Sequence, residues 1–226
     1  MKAETLSFIR HLSPFLDWIY PPRCRYCKAQ LFDPGDECFC AACREKIRLV
    51  SHPFCPNCGR PYFDGSGDDH LCGACLAGSP YFQQARAWAC YPTDELSGHP
   101  LREVLQHFKY GRKLSLGKPL GRLMARDCEG LFQGCVFDVI VPIPLHPKRL
   151  RWRGFNQALL LAREVGRRWK IAVDPFVLLR SRETQPQTQL DERERRKNVR
   201  GAFSGGAPAR GRFACLPWRG QSPKGG

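Results

Sequence analysis

The stretch "VPIPLHPKRLRWRGFNQA", residues 141–158, joins an apolar segment to a cluster of positive charges. Lys148, Arg149, Arg151 and Arg153 place four cations within six residues. Like charges held this close repel one another, so the spacing predicts an anionic ligand at this position. The segments on either side of the cluster indicate the fold that presents it.

Apolar segments of two kinds alternate along the chain after residue 84. The strand candidates are residues 85–92, 137–145 and 171–180, and the helix candidates are residues 99–111, 118–132 and 156–170. Residues 137–145 form a short apolar run, which is typical of a strand covered on both faces. Strands that alternate with helices predict an α/β fold with a parallel sheet.

The basic cluster directly follows the carboxyl end of the strand candidate 137–145. Ligands of parallel α/β sheets bind beyond the carboxyl ends of the strands. The sequence therefore favours a phosphate cradle at the cluster, and a loosely held surface loop is the alternative.

The chain as a whole is strongly basic. It has 226 residues, 36 Lys+Arg against 21 Asp+Glu, and a formal net charge of +15. Residues 148–212 contain 17 of the basic residues and only 6 acidic ones. This excess favours partners that carry phosphate groups, such as nucleotides, sugar phosphates or nucleic acid. A solvated basic face is the simpler alternative.

The first 20 residues have apolar side chains at helical spacing, interrupted by charged residues. They contain no small-residue cleavage site, and no segment of the chain is apolar for long enough to cross a bilayer. We expect an N-terminal helix over residues 1–20 that packs on its own domain, with a docking helix or a weak surface anchor as alternatives. The expected location is the cytoplasm.

Eight of the thirteen cysteines occur in four C-x2-C pairs. The pairs are Cys24/Cys27, Cys40/Cys43, Cys55/Cys58 and Cys72/Cys75. The third pair follows the first by 31 residues, and the fourth follows the second by 32 residues. This regularity indicates that one unit has been duplicated.

Each unit offers four thiolates, the ligand set of a closed structural zinc site. We expect two zinc ions, one bound by the first two pairs and the other by the last two. An ion shared by the first and third pairs is an alternative, and Cys38 and His70 are alternative ligands. Disulfides would require an export signal, which the sequence lacks, and redox chemistry at one pair would not explain the duplication.

Several motifs together resemble the ComF family, the group of competence protein F and GntX-like proteins. They are the two cysteine units, "LREVLQHFKYGRK", "VPIPLHPKRLRWRGFNQA" and "RETQPQTQLDERERRKNVRGAF". The likeness extends from about residue 20 to residue 203. It implies an N-terminal helix (1–20), a double zinc ribbon (21–80), a type I phosphoribosyltransferase-like domain (81–203) and a tail (204–226).

The resemblance also implies a ligand and partners. Proteins of this type bind 5-phosphoribosyl-1-pyrophosphate with Mg²⁺, and Arg149 and Arg153 would contact the pyrophosphate. Residues 180–203 would form a mobile region near the site, with family positions at Gln185, Gln189, Arg193, Arg196 and Asn198. Family members are associated with the uptake of single-stranded DNA and with a cytoplasmic import helicase.

The sequence departs from the family after residue 203. The family continues with a strand, an acidic pair that holds the ribose hydroxyls and a Thr-Thr-Gly loop that holds the 5-phosphate. Here "SGGAPARGRFACLPWRGQSPKGG" contains no Asp, Glu or Thr. We therefore expect a disordered, truncated or frameshifted tail, an incomplete sheet and impaired catalysis, with a divergent tail as the alternative.

A second hypothesis is a non-enzymatic module that binds single-stranded nucleic acid or a partner protein. Trp152 and Phe155 flank Arg153, so their rings are candidates for stacking on bases. Trp and Phe near a helix start are more often packing residues, which is the alternative for both.

Overall fold

The computed structural model describes residues 21–32, 38–63, 67–78, 82–91, 98–132, 134–187 and 190–206. The expected helix over residues 1–20, Gln189 and residues 207–226 lie outside these ranges. Within them, no helix has both the length and the apolar character needed to span a bilayer.

The described residues form short helices and four very short strands. The α-helices are α1 (Ala41–Glu45), α2 (Gly73–Ala77), α3 (Pro100–Lys109), α4 (Gly117–Asp127), α5 (Pro147–Arg153), α6 (Gln157–Trp169) and α7 (Glu192–Val199). The strands are β1 (Val139–Ile140), β2 (Ala172–Val173), β3 (Leu178–Arg180) and β4 (Phe203–Gly205). Single 3₁₀ turns at Leu114–Leu116 and Glu129–Phe132 precede and follow α4.

The duplication of the cysteine units is visible in the backbone. Lys28 and Gly59 directly follow the first and third C-x2-C pairs, and both have left-handed φ angles, of 67° and 69°. Their N–H groups donate to the carbonyls of Cys24 and Cys55, at 3.1 and 2.8 Å. Gly59 tolerates this conformation because it has no Cβ, whereas Lys28 adopts it with a full side chain.

One hydrophobic core joins the first cysteine unit to the helices that follow. Phe39 and Ile47 of the first unit belong to the same buried cluster as Leu101, Phe108 and Leu120 of α3 and α4. Phe155 belongs to this core as well, and its ring centroid lies 5.6 Å from that of Phe108. Folding of the first unit and of the larger domain is thus linked through shared apolar burial.

The predicted parallel pairing is present, although the sheet is small. β1 pairs in parallel with β2, with Val139 opposite Ala172 and Ile140 opposite Val173. The helices α5 and α6 form the crossover between these two strands. The structure thus confirms a mixed α/β chain in which two cysteine units come first in the sequence and a parallel sheet follows.

The strand expected over residues 137–145 is much shorter, and the prediction that it is covered on both faces is wrong. Pro142 and Pro144 have no N–H to donate to a neighbouring strand, so regular pairing ends at Ile140. Ile143 is 57% exposed and Phe137 is 39% exposed. The apolar run therefore leaves the sheet and reaches the surface.

The two other strand predictions also need correction. Residues 85–91 form only an isolated bridge from Ala89 to Leu49, so they pair briefly with the first cysteine unit instead of entering the sheet. Residues 171–180 form two strands, because Asp174 and Pro175 interrupt them. The second of these, β3, pairs antiparallel with β4.

The helix predictions agree better with the structure. The candidates 99–111 and 156–170 correspond to α3 and α6. The candidate 118–132 begins within α4 but continues only as a 3₁₀ turn after Cys128.

Candidate metal centres and basic cleft

The first two C-x2-C pairs meet in one cluster. The sulfur atoms of Cys24, Cys27, Cys40 and Cys43 all lie within 4.8 Å of one another, and Cys27 Sγ is 3.6 Å from Cys40 Sγ. Four sulfurs bound to Zn²⁺ at about 2.3 Å would form a tetrahedron with edges of about 3.8 Å. One pair is presented by the turn before Lys28, and the other by the start of α1, whose N-cap is Cys40.

The last two pairs repeat this arrangement. The sulfurs of Cys55, Cys58, Cys72 and Cys75 also lie within 4.8 Å of one another, with Cys58 Sγ 3.6 Å from Cys72 Sγ. Cys72 is the N-cap of α2, as Cys40 is of α1.

Each cluster thus combines pairs that are neighbours in the sequence. The first and third pairs do not share a cluster, and neither cluster contains Cys38 or His70. The ring of His70 instead stacks on Tyr62, with the centroids 4.0 Å apart. The four cysteines of each cluster therefore form a complete donor set for a closed tetrahedral site.

The thiols within a cluster differ in acidity. Burial opposes ionisation of Cys24 and Cys55, but backbone N–H groups that donate to their sulfurs outweigh it and lower the pKa to about 7 and about 6. Burial and the neighbouring sulfurs raise the pKa of Cys43, and they raise that of Cys75 to about 12. The negative charge on one sulfur therefore disfavours ionisation of the next thiol, and a divalent cation would compensate the accumulated charge. This donor chemistry fits two structural zinc ions.

The basic cluster of the sequence lies on a short helix. α5 starts with Pro147, and its N-cap His146 accepts a hydrogen bond from the Lys148 N–H at 3.4 Å. It ends at Gly154, whose φ of 85° reverses the chain into α6. The helical repeat brings Lys148, Arg149 and Arg153 into one cleft and leaves Arg151 outside the residues that line it.

This basic cleft is an open cavity of about 740 Å³. It is lined by Lys109, Tyr110, Lys148, Arg149, Trp152, Arg153, Glu183, Pro186 and Gln187. Its walls thus come from the end of α3, from α5 and from the segment that follows β3.

Two exposed aromatic rings flank the central arginine of the cleft. Tyr110 is 55% exposed and Trp152 is 54% exposed. The guanidinium carbon of Arg153 lies 5.5 Å from the Tyr110 centroid and 5.9 Å from the Trp152 centroid. Arg112 lies over the same tryptophan ring at 4.9 Å. Cations and exposed ring faces therefore occur together on one surface.

Sequence reasoning missed Tyr110 as a residue of the cleft. The available signal was the string "FKYGRK", in which Lys109 ends α3 and is followed by Tyr110 and by two more cations, Arg112 and Lys113. Phe155 is buried in the core, which agrees with the packing role that is more usual for Phe near a helix start than stacking on a ligand.

Positive charge in the cleft is only partly compensated. Burial first, and Arg149 second, lower the pKa of both Arg153 and Arg180. Lys148 donates to Glu183 at 2.7 Å, which lowers the pKa of that carboxyl. Glu183 is the one acidic residue among those lining the cleft, so an anion bound there would relieve repulsion between the arginines.

The segment after β3 is held to α7 by side chains. Gln185 and Asn198 exchange hydrogen bonds, with Asn198 Nδ2 donating to the Gln185 carbonyl at 3.0 Å. Arg182 donates to the carbonyls of Asn198 and Arg200, at 2.9 and 2.7 Å. These bonds hold the segment that carries Pro186 and Gln187 of the cleft against α7, while Arg193 and Arg196 lie exposed on α7.

Comparison with known proteins gives two independent matches. Residues 15–76 match the double zinc ribbon domain family. Competence protein F of Haemophilus influenzae is 30% identical over 190 residues, which cover 80% of this chain and 76% of that protein. This chain belongs to the ComF family.

Other relatives of the ComF family agree with this assignment. DNA utilization protein YhgH of Escherichia coli O157:H7 is 31% identical over 203 residues, covering 87% of this chain and 83% of that protein. Competence protein ComFC of Bacillus subtilis is 29% identical over 133 residues, covering 56% and 51%. No solved structure matches the chain.

Proposed function

We propose that this ComF-family protein binds single-stranded DNA through the basic cleft, in the course of DNA uptake or utilisation. The names of its relatives, competence protein F and DNA utilization protein, support a role with DNA. The observation that carries the proposal is that Arg153 lies over two exposed rings, at 5.5 Å from the Tyr110 centroid and 5.9 Å from the Trp152 centroid. We propose that the two cysteine clusters serve as structural zinc sites and that the protein is cytoplasmic, where thiols stay reduced.

The cleft combines the two interactions that a single strand needs. Cations neutralise phosphates, and each base that stacks on an aromatic ring adds about 1–3 kcal/mol. A small phosphate compound without a base would gain nothing from the ring faces. The aromatic residues therefore favour nucleic acid as the ligand.

A second candidate ligand for the same cleft is phosphoribosyl pyrophosphate with Mg²⁺. Arg149 and Arg153 have the forked donors that bind phosphate oxygens in pairs. Transfer would also require a grip on the ribose phosphate, and residues 204–226 contain no Asp, Glu or Thr to supply the family's acidic pair and Thr-Thr-Gly loop. We propose binding without transfer in this case.

The test is a salt titration of binding to a labelled oligothymidylate. Each phosphate contact on a single strand contributes about 0.7 to the slope of log K against log salt. The double variant Arg149→Ala/Arg153→Ala should therefore reduce the slope by about 1.4 and weaken binding. Exposed cations of the first cysteine unit provide the matched control, Arg23→Ala/Arg25→Ala, which should leave both unchanged.

Trp152→Ala separates stacking from simple charge attraction. It should weaken binding about tenfold through the loss of one stacked base, with little change in slope. Since Arg153 donates to Gln157 Oε1 at 3.0 Å, Arg149→Ala alone repeats the charge test without removing that hydrogen bond. Thermal melting should first show that each of these cleft variants is folded. Unchanged DNA binding in the folded variants would contradict the proposal.

A further inference from the structure

The helices α4 and α6 lie side by side and run in the same direction. A Cβ at Gly117 would lie 2.8 Å from the Leu160 side chain, and one at Gly121 would lie 2.7 Å from that of Glu164. Further along, Trp169 Nε1 donates to the Ala125 carbonyl at 3.0 Å. Basic side chains that leave these two helices therefore share one surface.

Six cations form what we name the helical stripe. They are Lys118, Arg122, Arg126, Arg167, Arg168 and Lys170. The first three are spaced by four residues on the exposed side of α4, so they follow one another at intervals of about 6 Å. All except Lys118 line a second open cavity, of about 470 Å³.

A buried carboxylate orients the middle of the stripe. Glu164 of α6 pairs with Arg167 one turn later and with Arg122 Nε of α4 at 3.5 Å, while its own side chain is only 8% exposed. A carboxylate shared by two guanidinium groups limits their freedom and fixes their spacing. The two guanidinium groups remain about half exposed, so they are accessible to a ligand.

Helix stability does not account for all six cations of the helical stripe. Cations in the last turn of a helix interact favourably with its dipole, which accounts for Arg126, Arg167 and Arg168. Lys118 lies in the first turn of α4, where the dipole disfavours a cation, and Arg122 lies in the middle. The described acidic neighbours, Glu164, Asp127 and Glu129, compensate only half of the six charges.

The stripe starts beside the basic cleft. α3 ends at Lys109, which lines the cleft, and Arg112 lies over the ring of Trp152. One 3₁₀ turn then leads into α4. Along α4 the stripe extends from Lys118 to Arg126, over about 12 Å.

We propose that the helical stripe is a second binding surface, along which the DNA strand continues after leaving the basic cleft. The inference rests on the proposed function and adds the direction of the strand and the length of its site. Short strands fill the cleft alone, and longer strands contact both surfaces.

The experiment compares oligothymidylates of about 4 and about 20 nucleotides. The stripe variant Lys118→Gln/Arg126→Gln/Arg168→Gln leaves Arg122 and Arg167 paired with Glu164. It should lower the salt slope for the long strand by about 2, and its affinity about tenfold or more, while leaving the short strand unchanged. Lys118→Gln alone, at an exposed position, should lower the slope by about 0.7.

A control with the same loss of charge removes three exposed cations of the cysteine units, Arg23→Gln/Arg25→Gln/Arg60→Gln. An equal loss of long-strand affinity in this control would show an effect of net charge alone and would overturn the inference. Unchanged long-strand binding in the stripe variant, together with weaker binding in Arg149→Ala/Arg153→Ala, would overturn the inference but leave the proposed function intact. Weaker binding only in the stripe variant would overturn the cleft as the DNA site. No binding by the unaltered protein would reject both proposals.

Discussion

At Gly121, helices α4 and α6 approach too closely for a side chain. A methyl group there would lie 2.7 Å from Glu164 Cβ and 3.4 Å from Leu161 Cα. Overpacking of this kind costs about 1–3 kcal/mol, and the higher helix propensity of alanine offsets about 1 kcal/mol. Gly121→Ala should therefore lower the melting temperature by a few degrees. Gly130→Ala, where no atom lies within 4 Å, is the matched control, and an equal effect of both changes would contradict the packing argument.

Single residues also show which features the sequence could predict. The C-x2-C spacing predicted that the two cysteines of each pair bind one ion, because a turn of four residues brings its two thiols close together. The spacing left open which pairs share an ion, and the structure shows that pairs adjacent in the sequence do. Tyr110 gave no such signal, since its contact with Arg153 joins α3 to α5 through the tertiary fold. Lys28 occupies the left-handed position that Gly59 occupies in the second unit. A lysine in the sequence does not predict a left-handed backbone conformation.

At the scale of elements, the two cysteine units differ in how they are attached. Residues of the first unit share the core of α3 and α4, and Arg44 of α1 also pairs with Asp127 of α4 at 2.9 Å. The same carboxylate accepts a hydrogen bond from Trp88 Nε1 at 2.8 Å. The second unit lies outside that core cluster among the described residues.

This difference predicts unequal effects of losing each zinc site. Cys24→Ser should reduce the zinc content to about one ion per chain, lower the melting temperature strongly and abolish DNA binding, because α3 carries part of the cleft. Cys55→Ser should also remove one ion but leave the cleft and its DNA affinity close to those of the unaltered protein. Metal analysis, thermal melting and oligonucleotide binding measure the three effects. Equal loss of DNA binding in both variants would contradict the coupling through the core.

The strands were the least predictable elements, for physical reasons. The run 137–145 has the composition of a buried strand, but its prolines end the pairing after two residues. Residues 85–91 have a strand-like pattern whose partner is a distant segment, 48–50. The helices α3 and α6 were predictable because their apolar spacing is local and each buries one face.

At the scale of the whole molecule, part of the positive charge is gathered on two surfaces, the basic cleft and the helical stripe. The sequence locates most of this charge after residue 147, but α4 contributes Lys118, Arg122 and Arg126 from before it. Their place beside Arg167 and Arg168 follows from the parallel packing of α4 and α6, which a linear charge count does not show. The cleft was therefore partly predictable, and the helical stripe was not.

We expect the whole protein to bind phosphoribosyl pyrophosphate and pyrophosphate equally well. If the chain binds only the pyrophosphate group, phosphoribosyl pyrophosphate and pyrophosphate at equal concentration with Mg²⁺ should raise the melting temperature equally. Additional contacts with the ribose phosphate that tightened binding tenfold would add about 1.4 kcal/mol to the binding free energy. They would raise the melting temperature by about 3–6 °C more for a chain of this size. Arg149→Ala/Arg153→Ala should reduce both shifts. A clearly larger shift with the phosphoribosyl compound would mean that a ribose-phosphate site exists, and transfer would then be open to test. Equal shifts would mean that these cations hold donor and leaving group alike, which favours the product as much as the transition state and gives no catalysis.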